Sequence, residues 1–556
     1  MWTVLPLLGA LLFAVSFAPP ATYAQVPSYQ EFSTTGNPVS GFAGFEQNIQ
    51  IISGDFDTDG DVDFFVFNSN TLPTGTNPGG QFLQNDGSGN FTDVRGTSGD
   101  PFAGIVNDYD GNTVNSPLVF QSDTFIEDFD NDGDLDILHQ GWGFSTESRY
   151  FENTTGSSYT ERITSGNPFS GISELDERTD AQVFGDFDSD GDVDLFITDL
   201  TNLPSVGGTT PKGFYYQNDG SGGFSEVRGS AADPFRSIVN TYEQGGTNQV
   251  NAPVIFPADV YVAYFDNEGD QDILHKDWDN ENDNRYFENT TGSFYEERIT
   301  SGNPFSAFPV LGATTRDPST HILLSDFDSD GAVDLFIFDR NDLPSGTAPG
   351  GLYLKNDGTG TFTDVRGNTA EDPFAAIVNT LERGNGASGS VNSVVWDEDN
   401  AYVADFNGDG DVDIIHSEWN ESESSNPGSR FFEQQNSPPR LASSSPADGA
   451  TGVNPSGDLV LVFDETVALG TGAIEIRRVS DDGVEQAFTL SSGSVTGGGT
   501  ATVSTTNSTD DTVTLSPSSS LPSGTLLYLH TDAGAIVDSE NATTLSLINN
   551  PATLQF

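Results

Sequence analysis

The chain has 556 residues, 84 of them Asp or Glu against 19 Lys or Arg, for a formal net charge of −65. A surface this acidic repels nucleic acid and anionic lipid, so neither is expected as a partner. There is no Cys and the one Met is Met1, which excludes a disulfide framework and requires any crosslink to be of another kind.

At the N-terminus an apolar run from Val4 to Ala18 is followed by small residues ending Thr22-Tyr23-Ala24. Residues 1–24 read as a secretory signal peptide cut before Gln25, since the apolar core is short for a membrane span. No later segment is apolar enough to cross a bilayer, so the mature chain is expected outside the cell with no integral span. Only Lys212, Lys276 and Lys355 are lysines. That bias points to a high-salt setting, where self-repulsion is screened.

Six acidic loops follow at a regular rhythm. The first carries Asp55, Asp57, Asp59, Gly60, Asp61 and Asp63; the second Asp128, Asp130, Asp132, Asp134 and Asp136; the third Asp186, Asp188, Asp190, Asp192 and Asp194. The fifth has Asp326, Asp328, Asp330, Ala332 and Asp334, and the sixth Asp405, Asn407, Asp409, Asp411 and Asp413. Carboxylates this dense repel one another unless a cation lies among them, and oxygen-only ligands select a hard ion such as calcium. In D-x-D-x-D-G-x-x-D, side chains at positions one, three and five converge, Gly at six allows the sharp turn, position seven offers its carbonyl, and Asp at nine can use both oxygens. An EF-hand would place Glu at position twelve, where these loops have Val66, His139, Ile197, His275, Ile337 and His416. The fourth loop is degenerate: Tyr264 and Glu268 replace Asp at positions one and five, leaving Asp266, Asp270 and Asp272. Five strong calcium sites and one weak one are expected, with the metal structural rather than catalytic.

Short β-rich runs flank each loop, as in Ile49-Gln-Ile-Ile52 before the first and Asp63-Phe-Phe-Val-Phe67 after it, so the loops join strands. Their first positions, 55, 128, 186, 264, 326 and 405, lie 73, 58, 78, 62 and 79 residues apart, so the unit is a pair. Odd copies continue into a hairpin, Gln84-Asn-Asp-Gly-Ser-Gly-Asn-Phe91, repeated from Gln217 and Lys355; even copies use Arg149-Tyr-Phe-Glu-Asn-Thr-Thr-Gly156 and its repeat from Arg285. Four strands per unit with no helical sequence between units predicts a six-bladed β-propeller. The last copy stops at Arg430-Phe-Phe-Glu-Gln-Gln435, one strand short, and Tyr29 to Pro38 aligns without a gap to Tyr159 to Pro168 and Tyr295 to Pro304. The N-terminal segment is therefore expected to supply the missing outer strand and close the ring, leaving no exposed end.

These loops and hairpins resemble the FG-GAP and VCBS repeats of integrin-α-type propellers over residues 29–436. Asp186 to Leu195, followed by Tyr216 to Phe224, is similar to the bacterial VCBS pattern nearly residue for residue. The resemblance implies a calcium-stabilised propeller in residues 25–436, and integrin partners are not carried over with it.

Two further patterns repeat. Even copies carry His139-Gln-Gly-Trp142, His275-Lys-Asp-Trp278 and His416-Ser-Glu-Trp419. Either they are three shallow glycan sites with a sugar stacked on Trp, or they are packing between blades. Odd copies carry Phe102-Ala-Gly-Ile-Val-Asn107 and its repeats from Phe235 and Phe374, read as covers for blade edges or as a binding rim.

Pro438 and Pro439 mark a linker at 437–441, beyond which composition shifts to Thr, Ser, Val and Gly. Residues 442–556, with Ser445 to Val453, Leu459 to Val467 and Gly472 to Ile476, resemble the bacterial Ig-like domain first described in S-layer proteins, which implies a β-sandwich spacer. No G-x-S-x-G, H-E-x-x-H, Cys nucleophile or phosphate loop is present. The sequence thus predicts a secreted or surface-bound, non-enzymatic binding or adhesion module whose partner is an extracellular protein or a glycan. Carbohydrate binding is the alternative, with a polysaccharide lyase or hydrolase third.

Overall fold

The computed structural model describes residues 27–538 apart from short internal segments, the longest being 199–211 and 309–319. The signal-peptide reading of residues 1–24 falls outside the described residues, as does Trp278. The chain is all-β and divides into two compact units, one spanning Pro27–Ser437 and the other containing Pro438–Phe556. Among the described residues no helix is long and apolar enough to cross a membrane.

The first unit contains six four-stranded antiparallel sheets. In the first, strands Ile49–Gly54, Asp63–Asn68, Gln81–Gln84 and Thr92–Asp93 lie side by side in chain order. The second to fifth sheets occupy 124–162, 181–226, 260–298 and 320–364 in the same way. The sixth takes Ala401–Ala404, Asp413–His416 and Arg430–Gln435 from its own stretch, and Ser28–Phe32 as its fourth strand. Tyr29 faces Gln434 and Phe32 faces Phe431 in that antiparallel pairing, the pairing implied by the gap-free alignment of Tyr29 with Tyr159.

The second strand of each sheet is apolar on both faces, because both are covered. Phe64 packs with Tyr402, Phe406 and Ile415 of the sixth sheet. Its neighbour Phe65 points the other way, among Ile137, Phe151 and Tyr159 of the second. The second and third sheets share Leu138, Tyr150, Leu195 and Ile197; the third and fourth share Phe196, Tyr215, Ile273 and Phe287. The fourth and fifth meet through Leu274, Tyr286, Leu335 and Leu354, and the fifth and sixth through Phe336, Tyr353, Ile414 and Phe432.

Long connections follow the odd sheets, and each contains a two-stranded ladder: Asp108–Tyr109 with Asn112–Thr113, Thr241–Glu243 with Thr247–Gln249, and Thr380–Glu382 with Ser388–Ser390. The aromatic residue that opens each connection, Phe102, Phe235 or Phe374, is fully buried. It lies against a tyrosine of the following even sheet, with ring centroids 4.5 Å apart for Phe102 and Tyr159, 4.6 Å for Phe235 and Tyr295, and 4.5 Å for Phe374 and Tyr29. These phenylalanines cover sheet edges, as one of the two sequence readings requires.

In the second unit, Leu441–Ser445, Leu459–Phe463, Thr512–Pro517 and Gly499–Ser504 form one sheet. Ser494–Gly497, Val484–Ser491, Gly472–Arg478 and Leu527–Thr531 form another. Alternate residues of both sheets, including Leu461, Phe463, Ile474, Ile476, Phe488, Val513 and Leu529, make one core. The first strand begins at Leu441, which faces Phe463, so the last residue of the expected linker is already in the sheet.

Candidate metal centre

Each acidic loop is a tight arch between the first two strands of its sheet. In loops one, two, three and five the first carboxylate folds the arch: Asp55 accepts N–H bonds from Asp59 (3.2 Å) and Gly60 (3.0 Å), Asp128 from Asp132 and Gly133, Asp186 from Asp190 and Gly191, and Asp326 from Asp330 and Gly331. The glycine at position six sits at φ 100° in the first loop and 95–97° in the second, third and fifth, a conformation that a Cβ disfavours. The fifth-position carboxylates Asp59, Asp132, Asp190, Asp330 and Asp409 each accept the N–H of position seven.

Position four is also left-handed, at Thr58, Asn131, Ser189 and Ser329 (φ 58–61°), although none is Gly. Two of these residues bind the next loop. The Thr58 hydroxyl donates to Asp134 Oδ1 (3.1 Å) and to the Gly156 carbonyl (2.9 Å), and the Asn131 amide donates to Asp192 Oδ1 (3.0 Å). The position-seven carboxylates Asp134 and Asp192 are therefore engaged by the preceding loop.

The ninth position is the most constrained. Asp63, Asp136, Asp194, Asp272, Asp334 and Asp413 have no solvent exposure. Their Oδ1 atoms accept the backbone N–H of Asn85, Asn153, Asn218, Asn289, Asn356 and Gln434 at 2.8–3.0 Å. Tyrosine hydroxyls donate to Oδ2 in four of the six: Tyr150 to Asp136 (2.5 Å), Tyr215 to Asp194 (2.5 Å), Tyr286 to Asp272 (2.7 Å) and Tyr353 to Asp334 (2.6 Å). The ninth carboxylate is thus also the clasp between the loop and the third strand. Burial pushes the carboxyls of Asp63, Asp136, Asp194, Asp272 and Asp334 up to about 8, and that of Asp413 well above the usual range.

Positions one, three and nine converge. In Asp55/Asp57/Asp63, Asp128/Asp130/Asp136, Asp186/Asp188/Asp194 and Asp326/Asp328/Asp334, one carboxylate oxygen from each residue lies within 4.8 Å of the others. In all four groups the position-three Oδ1, on Asp57, Asp130, Asp188 or Asp328, is buried and accepts no hydrogen bond from the protein. A buried carboxylate oxygen without a donor is costly unless a cation meets it. Burial, reinforced by the neighbouring loop carboxylates, pushes Asp57, Asp130 and Asp188 up to about 6. Three such carboxylates, fixed by hydrogen bonds that leave an oxygen free on position three, fit a hard divalent cation.

The fourth loop lacks a carboxylate at position one and the sixth lacks one at position three. Among the described residues, the convergent groups are those of loops one, two, three and five. In the fourth loop Tyr264 is 44% exposed at position one, and Asp270 and Asp272 are buried below it. In the sixth loop, Asp405 takes N–H bonds from Gly408 and Gly410, while the Asn407 amide donates to Glu433 (3.2 Å). Ala332 is buried at position seven of the fifth loop.

Third-strand residues that the motif did not single out also enter these sites. Gln84 donates to Asp57 Oδ2 and Gln217 to Asp188 Oδ2, both at 2.6 Å. At the equivalent place in the fifth sheet stands Lys355, whose ammonium contacts Asp328 Oδ2 and lies 2.9 Å from Asp330 Oδ2. The signal for them was in the sequence, at a fixed place in the repeated hairpin, but nothing local says that this place faces the loop.

Of the candidate glycan residues, the three His and the two described Trp lie inside the protein. His139, His275 and His416 have no exposure, and Trp142 and Trp419 at most 2%. Each imidazole Nε2 accepts a backbone N–H, from Phe120, Ile255 or Trp396, while Nδ1 meets the carbonyl of the following residue. The indoles donate to the Asp108 and Thr380 carbonyls. Burial leaves these described rings no face for a sugar, which corrects the glycan reading in favour of packing.

Residues 435–556 match the family model of a bacterial Ig-like domain. The match agrees with the two-sheet core of the second unit and stops where the acidic repeats end. No curated protein matches the chain.

Proposed function

We propose that residues 27–437 form a closed six-bladed β-propeller stapled by calcium, and that the chain acts as a non-enzymatic binding or adhesion module outside a bacterial cell. Support for the ring comes from the cyclic order of contacts. Side chains of sheets one, two, three, five and six bond the loop backbone of sheets six, one, two, four and five: Asn85 to Phe406 O, Asn153 to Phe56 O, Asn218 to Phe129 O, Asn356 to Phe265 O and Gln434 to Phe327 O. The remaining junction is spanned by Gln271 of sheet four, which accepts the Asp186 N–H of sheet three.

The observation that carries the calcium reading is the buried, donorless oxygen at position three of the first three loops, beside two further carboxylates; the fifth loop has it too, next to Lys355. Extracellular calcium modules bind at roughly 10⁻⁴–10⁻³ M, so millimolar calcium outside a cell would fill such sites. The external location is supported by the C-terminal match, since bacterial Ig-like domains are typical of surface proteins, and such a domain serves as a spacer for the module before it.

The test is to count calcium bound per chain at saturation and to follow thermal unfolding before and after chelation at constant ionic strength. Several ions bound and a large loss of stability on chelation are expected. No bound calcium, with unfolding indifferent to chelator, would overturn the reading.

A glycan ligand is the second reading, favoured by a repeated polar cleft. Asp130, Glu152, Arg162 and Asn167 line it beside the second loop, and Asp266, Glu288 and Asn303 line its counterpart beside the fourth. Binding on a glycan array that is lost on replacing Asn167 and Asn303 together would select it.

A further inference from the structure

In odd sheets the residue that closes the hairpin's first strand reaches the position-three carboxylate of its own loop. Gln84 and Gln217 do this with a neutral amide, at 2.6 Å from Asp57 Oδ2 and Asp188 Oδ2. An amide satisfies one oxygen and leaves the charge of the cluster uncompensated. Lys355 makes the same approach with a full positive charge, bridging Asp328 and Asp330. Even sheets have Glu here: Glu152 and Glu288 are paired with Arg162 (2.7 Å) and Arg298 (2.6 Å), and Glu433 accepts from Asn407. The residue type at this one place thus alternates with the blades, and in the fifth it changes sign relative to them.

We propose that Lys355 is a built-in cation of the fifth loop, holding its carboxylates together in place of a metal ion, while the first and third loops, with Gln at the same place, depend on metal. This rests on the calcium reading of the loops and refines it. The fifth loop has the same convergent carboxylates as the first three, yet Asp328 and Asp330 already share an ammonium. A divalent ion entering there would have to displace that ammonium or bear its repulsion at a few ångströms. Lysine suits the role because its three donors sit on a compact charge that can bridge two carboxylates.

The experiment compares the full chain with its Lys355→Gln, Lys355→Arg and Gln84→Lys variants, counting bound calcium and measuring thermal unfolding in chelator and in millimolar calcium. Lys355→Gln is expected to bind one ion more than the parent, to unfold several degrees lower in chelator, and to regain that loss when calcium is added. Lys355→Arg keeps the parent's count. Gln84→Lys binds one ion fewer and is less sensitive to chelation, which tests the idea even if Lys355→Gln fails to fold. An unchanged ion count in both Lys355→Gln and Gln84→Lys would overturn the proposal. If no variant binds calcium, the calcium reading itself falls. The stability of Lys355→Gln in chelator then still decides the lysine's part: a loss upholds the built-in cation, and parent-like unfolding overturns it.

Discussion

Asp194 shows how much one residue is asked to do. It has no exposure, takes the Asn218 N–H and the Tyr215 hydroxyl, and lies in the third convergent group. Replacing Tyr215 by Phe removes a donor to a buried carboxylate and should destabilise the metal-free protein by about 1–3 kcal/mol, read from denaturant unfolding. The substitution is sterically tolerable, because the first sheet already has Phe82 at the matching place. The same carboxylates set an unusual pH dependence. An unfolded Asp titrates near 3.8, whereas burial holds Asp63, Asp136 and Asp194 in the metal-free fold up to about 8. Below the lower value both states are protonated and this contribution to stability is complete. As pH rises through the window the unfolded chain sheds protons that the fold retains, so the contribution is lost. In chelator the protein should therefore be more stable at about pH 5 than at about pH 8. On the calcium proposal, in which the ion takes the ionised form, added calcium should narrow or reverse that order, and denaturant midpoints at both values check it.

Among elements, the odd connections are held by an arginine clasp found three times. Arg95, Arg228 and Arg366 each donate Nε to a backbone carbonyl (of Gly79, Lys212 and Gly350) and Nη1 to a buried Asp (Asp100, Asp233 and Asp372) at 2.6–2.7 Å. Their Nη2 atoms reach the carbonyls of Asn115, Asn251 and Asn392. Changing Arg228 to Leu strands Asp233 without its partner and should cost about 3–5 kcal/mol, lowering the thermal midpoint of the first unit. The strands and acidic loops were legible in the sequence because each depends on neighbours within a dozen residues. The strand Asp63–Asn68 follows directly from its apolar run, and the loops from their spacing. The clasp was not legible, since Arg95 finds Asp100 nearby but its carbonyls at Gly79 and Asn115 belong to other turns. Nor was the burial of His139 and Trp142: aromatic residues at a fixed repeat position read alike whether they face solvent or a neighbouring sheet. The contact of Lys355 with its loop was hidden for a related reason, since it lies 25–27 residues from the carboxylates it meets.

For the molecule as a whole, the two units draw their stability from different sources. The second has one continuous apolar core and none of the acidic loops. The first divides its core into six clusters, with acidic loops between the first two strands of each sheet. Calorimetry should resolve two transitions, of which only the one from the first unit moves upward with calcium. A single transition insensitive to calcium would contradict the division. The net charge of −65 adds a second expectation: at low ionic strength in chelator the first unit should be the one to loosen, and added monovalent salt should restore part of its stability.

The strand Ser28–Phe32 pairs with Arg430–Gln435, the Tyr29 hydroxyl bonds the Val412 carbonyl at 2.5 Å, and the Asn37 amide bonds Ser429. These partners lie 383 and 392 residues apart in the chain. A ribosome therefore makes one edge of the sixth sheet before the first repeat and the other three strands near the end of the repeats. Through that interval the early strand has no place to dock, and the edge of Arg430–Gln435 exists only when nearly all of the first unit has been made. Completion of the sixth sheet is thus a late event timed by chain length, and a chain cut short in the fifth repeat would leave Tyr29 with no partner strand, a marker that distinguishes finished molecules from unfinished ones.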